Sequence, residues 1–396
     1  GNATMVDADG LLKWAPHNII LQSNAFLIED WSGFNFLRSD NGNGSWTINN
    51  NDSPVRFMSP STITASGDSL VFGIEAKPKS QSWISIRTTG FARDDFHWFD
   101  ISNGAVGGQG FYPQTITPTS DGFYLCTVEI DTSVDKSGAP RIQIGSDDET
   151  VAIGTLIVRK ARGYHSDLGG MVNNPATGDS YVPTTDAARY LPRENHHVYN
   201  GSAWVKEGYL HEPEAATNLS DYSGDFSAWD LINMSLTTDA ETGPDGETSA
   251  GRLVNISATA NMHYNVTLSA AAHTVSFYLK YVDNQWVRIG YKTSATAAAW
   301  FDLQNGVKGS VNGAGNTSTI EDVGNGWYRC SLTIATALAT NEELFVSPSS
   351  ADLATSATTT RTFTIYGAQI EAGSVPTSYI PTSGSTVTRA ADTLTL

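Results

Sequence analysis

The chain has 396 residues, 40% hydrophobic and 16% charged, with Lys+Arg 23 against Asp+Glu 41 and a net charge of −18. That length predicts two or three domains, each able to bury a full core without staples. The acidity argues against nucleic acid or an anionic membrane surface as partner, since both need a basic footprint; it otherwise serves solubility.

Residues 1–17 read as a lead-in, with Asp7-Ala8-Asp9-Gly10 as a turn signal. The segment has neither the charged nor the apolar region of a signal peptide, and no Met stands at position 1, which reads as a fragment or a processed chain. From Asn18 onward, short alternating runs are separated by Gly, Asn, Asp, Ser and Pro clusters. Leu70 to Ile74, Trp83 to Arg87, Phe96 to Ile101, Phe123 to Ile130 and Val151 to Val158 are predicted strands. Then come Thr274 to Val282, Trp286 to Tyr291, Ala299 to Leu303, Trp327 to Ile334, Glu343 to Val346 and Thr362 to Ile370. Helical periodicity is nearly absent, and its best stretch, Ala295 to Trp300, is too short to count. No apolar run is long enough to predict a membrane-spanning helix.

The chain repeats itself. Trp98-Phe99-Asp100-Ile101-Ser102-Asn103-Gly104 recurs as Trp300-Phe301-Asp302-Leu303-Gln304-Asn305-Gly306. Trp83-Ile84-Ser85-Ile86 and Trp286-Val287-Arg288-Ile289 precede the two copies; Gly122 to Cys126 and Gly326 to Cys330 follow them. Asn18 and Asn218 open the copies, and Ser180 to Thr184 and Ser378 to Thr382 close them. A period near 200 residues is a duplicated domain and not a solenoid repeat. We place a first β-sandwich module at 1–190, a linker hairpin at 191–212 turning at Asn200-Gly201, and a second module at 213–396. Cys126 and Cys330 sit at equivalent positions in separate cores, which predicts buried thiols and no disulfide framework.

Several stretches resemble tandem modules of tailed-bacteriophage virion proteins. They are Tyr190-Leu191-Pro192-Arg193, His196 to Trp204, Glu214 to Leu219, Gly326 to Cys330, Tyr366-Gly367-Ala368-Gln369-Ile370-Glu371, Ser378 to Thr382 and Thr388 to Asp392. The first copy diverges, with Ile157-Val158-Arg159-Lys160 where the second has its Tyr-Gly-Ala-Gln run. The resemblance implies an all-β chain of two tandem jelly-roll β-sandwiches, concanavalin-A-like or carbohydrate-binding-module-like. It implies display on a virion surface, as tail fibre or capsid decoration, beside other virion proteins. A homotrimer is an expectation by analogy with phage fibres.

Alternate residues of a strand share a face. If Ile84, Ile86, Phe99 and Ile101, with Val287, Ile289, Phe301 and Leu303, face the cores, the opposite faces carry Trp83, Arg87, Trp98, Asp100, Trp286, Arg288, Trp300 and Asp302. Trp stacks on a sugar ring while Asp and Arg hydrogen-bond its hydroxyls, so these eight residues are the candidate glycan-binding set. The alternative is scaffold, with the Trp residues under loops and Arg–Asp as cross-strand pairs. The glycan reading requires Trp98 or Trp300 to be exposed beside its Asp.

Catalysis is not expected. Glu129-Ile130-Asp131 begins like a laminarinase-type acid motif, but Val134 and Asp135 leave no second Glu, and Thr333 and Ala335 stand at the matching places of the second copy. Nor is there a nucleophile elbow, phosphate loop or dinucleotide fingerprint. We expect no cofactor or metal. His196, His197, His211, Glu194 and Glu212 are explained by the linker, and Asp239, Glu241, Asp245 and Glu247 form a turn without the spacing of a calcium loop. A structural calcium there is the remaining option, as carbohydrate-binding sandwiches often carry one; the first copy has only Asn49-Asn50-Asn51-Asp52 nearby. The expected function is noncatalytic glycan binding on a virion, at host cell-surface polysaccharide. A purely structural capsid or fibre module and an accessory chain of a polysaccharide-degrading enzyme are the rivals.

Overall fold

The computed structural model describes residues 3–26, 31–33, 36–50, 57–108, 110–146, 149–172, 181–292, 297–336, 340–358 and 360–393. Two units emerge, one of residues 14–191 and one of residues 1–13 with 192–396.

Among the described residues of 14–191 (module one), two six-stranded antiparallel sheets are formed by β1 (Trp31–Gly33), β2 (Leu37–Asp40), β3 (Trp46–Asn49), β4 (Met58–Pro60), β5 (Ser69–Pro78), β6 (Trp83–Arg87), β7 (Phe96–Asp100), β8 (Ala105–Val106), β9 (Gln114–Pro118), β10 (Tyr124–Asp131), β11 (Arg141–Gly145) and β12 (Thr155–His165). The sheet orders are β8-β7-β6-β11-β4-β1 and β9-β10-β5-β12-β3-β2. The inward faces meet in one core, with Ile84, Ile86, Phe99 and Ile144 from the first sheet against Phe72, Ile74, Cys126 and Val128 from the second.

The other unit holds a hairpin, β13 (Arg193–Tyr199) and β14 (Trp204–Leu210), and the strands of module two. These are β15 (Asp230–Ile232), β16 (Met234–Thr242), β17 (Thr248–Asn255), β18 (Asn261–Leu268), β19 (His273–Tyr281), β20 (Trp286–Tyr291), β21 (Ala298–Asp302), β22 (Val307–Asn312), β23 (Thr317–Asp322), β24 (Trp327–Ile334), β25 (Thr340–Ser349) and β26 (Thr362–Ala372). Their orders, β15-β18-β25-β20-β21-β22 and β16-β17-β26-β19-β24-β23, reproduce module one strand for strand. Val287, Ile289, Phe301 and Leu303 enter this core with Phe277, Cys330, Leu332 and Ile365. The chain is therefore all-β, two tandem jelly-roll sandwiches of common topology. Both cysteines are free and buried.

Residues 1–13 differ from the expectation that they open module one: they group with residues 192–396. Hydrogen bonds explain this. Thr4 Oγ1 donates to the Tyr379 carbonyl at 2.6 Å, and Arg193 Nη1 donates to the Thr4 carbonyl at 3.2 Å. The hairpin turns where expected, with Tyr199 opposite Trp204 and Gly201 at φ 90. Asn200 Oδ1 accepts from the Ser202 and Ala203 amides at 3.0 and 2.9 Å, which closes the turn. The divergent Lys160 of module one occupies a left-handed bulge position at φ 48 that module two fills with Gly367 at φ 60. The weak helical stretch ends in β21 at Trp300; Ala295, like Asn51, Asp52 and Ser180, lies outside the described residues.

Candidate functional site

The eight candidate residues lie on the faces opposite the two cores, as the alternation predicts. Register brings Trp83 opposite Asp100, and Trp286 opposite Asp302. Exposure is where the expectation fails. Trp98 is 7% exposed and Trp300 only 2%, although the glycan reading needed one of them accessible. Phe96 stacks on Trp98 at 5.5 Å with an interplanar angle of 7°, and Trp300 Nε1 donates to the Ala354 carbonyl at 2.7 Å. Both indoles therefore pack beneath neighbouring structure and supply apolar contact to the scaffold.

The two aspartates are also committed. Asp100 Oδ1 accepts from the Ser102 amide and hydroxyl at 2.9 and 2.6 Å, and Oδ2 from Asn103 Nδ2 at 2.7 Å. Burial works against the charge, but these bonds outweigh it and hold the Asp100 carboxyl below its ordinary range. Asp302 likewise accepts from the Gln304 and Asn305 amides, Asn305 Nδ2 and Gln285 Nε2, at 2.8 to 3.1 Å. The repeated Asp-x-x-Asn-Gly is thus an Asx-type turn ending in a left-handed glycine, Gly104 at φ 68 and Gly306 at φ 65. Neither carboxylate has much capacity left for a sugar hydroxyl.

Trp83 and Trp286 are half-buried. Each lies against a glycine, where a Cβ on Gly107 or Gly309 would come within 2.7 Å of the ring. An acid secures the adjoining backbone in both modules: Glu149 accepts from the Gly108 amide at 2.6 Å, and Asp352 from the Ser310 amide at 2.8 Å.

The arginines are not equivalent. Arg288 pairs in register with Trp300, whereas Arg87 pairs with Phe96, one pleat further along. Arg288 lies over the Phe345 ring at 4.6 Å and donates to Ser347 Oγ at 3.3 Å. Arg87 lies over Phe96 at 4.8 Å and forks onto Asp94 at 2.7 and 3.1 Å. Opposite Arg87 stands Arg141, itself 4.0 Å over the Phe57 ring.

Module one therefore presents a row, Phe96–Arg87–Arg141–Phe57, across three strands and the residue before β4. All four side chains are half-buried. Phe111, 60% exposed and covered by Arg93 at 4.7 Å, follows beyond β7, its amide donating to Asp95 at 2.9 Å. Module two lacks the row: the registers put Gly290 where Arg87 stands and Phe345 where Arg141 stands. Sequence reasoning missed Phe57, Phe96, Arg141 and Phe111. Phe96 shares a face with Trp98 by strand alternation, but only the β6–β11 pairing shows that Arg141 stands next to Arg87 on it.

Several of the other chemistry-bearing residues are held by local contacts. Asp131 Oδ1 closes a turn on Ser133, and Glu129 accepts from Ser69 Oγ at 3.1 Å. Asp245 is buried and accepts from Ser249 Oγ, the Glu247 amide and Tyr366 Oη; Glu241 pairs with Arg252. His196 Nδ1 accepts from the Val6 amide at 3.2 Å, and the His211 ring stacks on Tyr209 at 5.8 Å. Among the described residues no group of three or more His, Cys, Asp or Glu is arranged to hold a metal, and no helix is long and apolar enough to cross a membrane.

No protein-family model and no curated protein matches the chain. Among solved structures it is similar to the N-terminal CBM22-1–CBM22-2 tandem domain of Paenibacillus barcinonensis Xyn10C, at 8% identity over 92% of this chain and 99% of that one, with a TM-score of 0.28. It is also similar to the exo-beta-1,3-galactanase of Phanerochaete chrysosporium with beta-1,3-galactotriose, at 10% identity over 85% of this chain and 68% of that one, with a TM-score of 0.21. Likenesses of this degree carry no argument about function, which rests on the chain's own residues.

Proposed function

We propose that this chain is a noncatalytic glycan-binding protein of a tailed-bacteriophage virion surface, acting through module one on host cell-surface polysaccharide. The observation that carries the reading is the half-exposed Phe96–Arg87–Arg141–Phe57 row on a sheet face. The exposed Phe111 ring and the free ring edges of the row offer apolar contact to sugar rings, and the guanidinium nitrogens not engaged with Asp94 offer directed donors to hydroxyls or carboxylates. Stacking on the phenyl rings holds both guanidiniums in place, so little entropy is lost when a ligand arrives. Virion placement and partnership with other virion proteins rest on the linker and module-end motifs, and a trimeric state on analogy with phage fibres alone. The test is binding of the whole chain to a broad glycan array, with reducing-sugar release measured on every hit. Binding without release supports the proposal; release by this chain alone would move it to an enzyme.

The burial of Trp98 and Trp300 and the saturation of Asp100 and Asp302 favour a second reading, a structural capsid-decoration or fibre-spacer module. An array without hits selects it. The accessory-module reading shares the glycan chemistry and differs in assigning the chain to a polysaccharide-degrading enzyme.

A further inference from the structure

The unit formed by residues 1–13 and 192–396 contains a cavity of about 200 Å³ beneath the β13–β14 hairpin. Its walls come from the hairpin (His197, Tyr199, Trp204), from β19 and β24 (Tyr278, Arg329), and from the β23 end (Glu321, Asp322). The cavity is distinct from the Trp-bearing sheet face of module two, because these strands belong to the other sheet of that module.

Two polar atoms in this wall are unspent. Arg329 is 9% exposed; its Nη2 donates to Ser276 Oγ at 3.1 Å and its guanidinium lies 5.4 Å over the Tyr278 ring, yet its Nε has no partner among the described residues. His197 Nδ1 is likewise buried without a partner among them. Buried polar atoms left unmet are costly, and a bound molecule that draws either side chain toward it relieves that cost. Glu321 and Asp322 are exposed and bring acceptors to the same cavity. The aromatic wall is fixed in place: the Trp204 ring meets that of Tyr199 at 5.3 Å, tilted by 53°, and lies against Gly10 and Gly324, both at positive φ, where a Cβ would collide with it.

The charges select the ligand. One buried cation is set against two exposed carboxylates, a third carboxylate of the wall, Glu212, being already paired with Arg193 and Arg389; this disfavours an anion, and a buried guanidinium disfavours a cation. Flat aromatic surface between donors and acceptors suits an amphipathic ring with hydroxyls at its edge. The volume lies below the roughly 300–1,000 Å³ of drug-sized pockets. We infer that this cavity binds a single neutral sugar residue, at a site that does not depend on the module-one row.

Saturation-transfer NMR on the whole chain, with glucose, galactose, N-acetylglucosamine and rhamnose as probes and glucuronate as the anionic control, tests this. At least one neutral sugar should receive saturation. Arg329→Met and His197→Ala, each confirmed folded by circular dichroism, should weaken it about tenfold or more. Val134→Ala, at an exposed position outside both the cavity wall and the module-one row, should leave it unchanged. If Arg329→Met does not fold, His197→Ala decides alone. Absence of transfer to every neutral sugar, preference for glucuronate, or indifference to the cavity variants would each overturn the inference.

Discussion

The side-chain amide of Asn218 donates to the carbonyl of Ile380 at 2.9 Å, joining positions 162 residues apart in the sequence. Asn18 does the same to Val182 at 2.8 Å. In each module the second amide hydrogen goes to an alanine carbonyl, Ala368 or Ala161. The amide oxygen accepts two backbone N–H groups, from Ser220 and Ile370 or from Ile20 and Gly163. Tyr379 Oη with Ser223 Oγ, and Tyr181 Oη with Ser23 Oγ, close the same clasp at 2.8 and 2.9 Å. The recurring opening and closing motifs are thus one buried network that ties the start of a module to its end.

Replacing Asn218 or Asn18 by Ala leaves several buried backbone groups unpaired, at about 1–3 kcal/mol each. Each substitution should lower stability in urea denaturation by at least about 3 kcal/mol. A loss below about 1 kcal/mol would show that water replaces the amide.

A second network uses the motif arginines. Arg193 and Arg389, both almost fully buried, enclose Glu212, and Arg193 also meets Asp392 at 2.5 Å. Burial opposes the Glu212 charge, but Arg193, the Ser378 hydrogen bonds and Arg389 outweigh it and lower its carboxyl from the ordinary 4.5. A depressed folded pKa adds stability that is present above the unfolded value and lost as pH falls through the folded one. Glu212→Gln should therefore cost about 3–5 kcal/mol near pH 7 and progressively less in acid, read as denaturation midpoints against pH.

Module one has its own acid response, with two opposite signs. His17 Nδ1 lies 2.7 Å from the Ala15 carbonyl while Nε2 accepts from the His165 amide at 2.9 Å, which fixes a neutral tautomer; burial lowers its pKa to about 4. The folded state then holds fewer protons than the unfolded between about 4 and 6.5, so this contribution is lost as pH falls through that window. Burial raises Asp167 from 3.8 to about 7 despite the hydrogen bond from Trp14 Nε1, so its contribution is lost as pH rises from 3.8 through about 7. Asp167→Asn keeps the acceptor and removes the charge. Thermal unfolding should show it more stable than wild type at pH 8 and equal to it near pH 3.5. Equal stability at pH 8 would contradict the assignment.

Trp98→Ala and Trp300→Ala should act as core truncations, costing about 3–5 kcal/mol each. Differential scanning calorimetry would separate this from a binding role, which would leave the midpoint in place.

Much of the fold was legible because the core strands alternate cleanly: Trp83–Arg87, Trp286–Tyr291 and Trp327–Ile334 have the bounds their residues suggest. Met234–Thr242 and Thr317–Asp322 were not legible, since they are Ser- and Thr-rich edge strands with mostly exposed side chains. The site was harder for a different reason. Alternation placed Trp98 and Trp300 on the correct face, but whether a loop covers that face is decided by distant residues such as Ala354. The Arg87–Arg141 juxtaposition depends on strand order and is invisible along the chain.

The central claim is that module one binds glycan through its arginine–aromatic row. The most direct measurement is isothermal titration of an array-identified glycan into wild type, Arg141→Ala and Phe111→Ala, with Trp286→Ala as the module-two control. The account predicts that both module-one variants stay folded and weaken binding tenfold or more while the control binds normally. Unchanged affinity in both, or loss confined to Trp286→Ala, would contradict it.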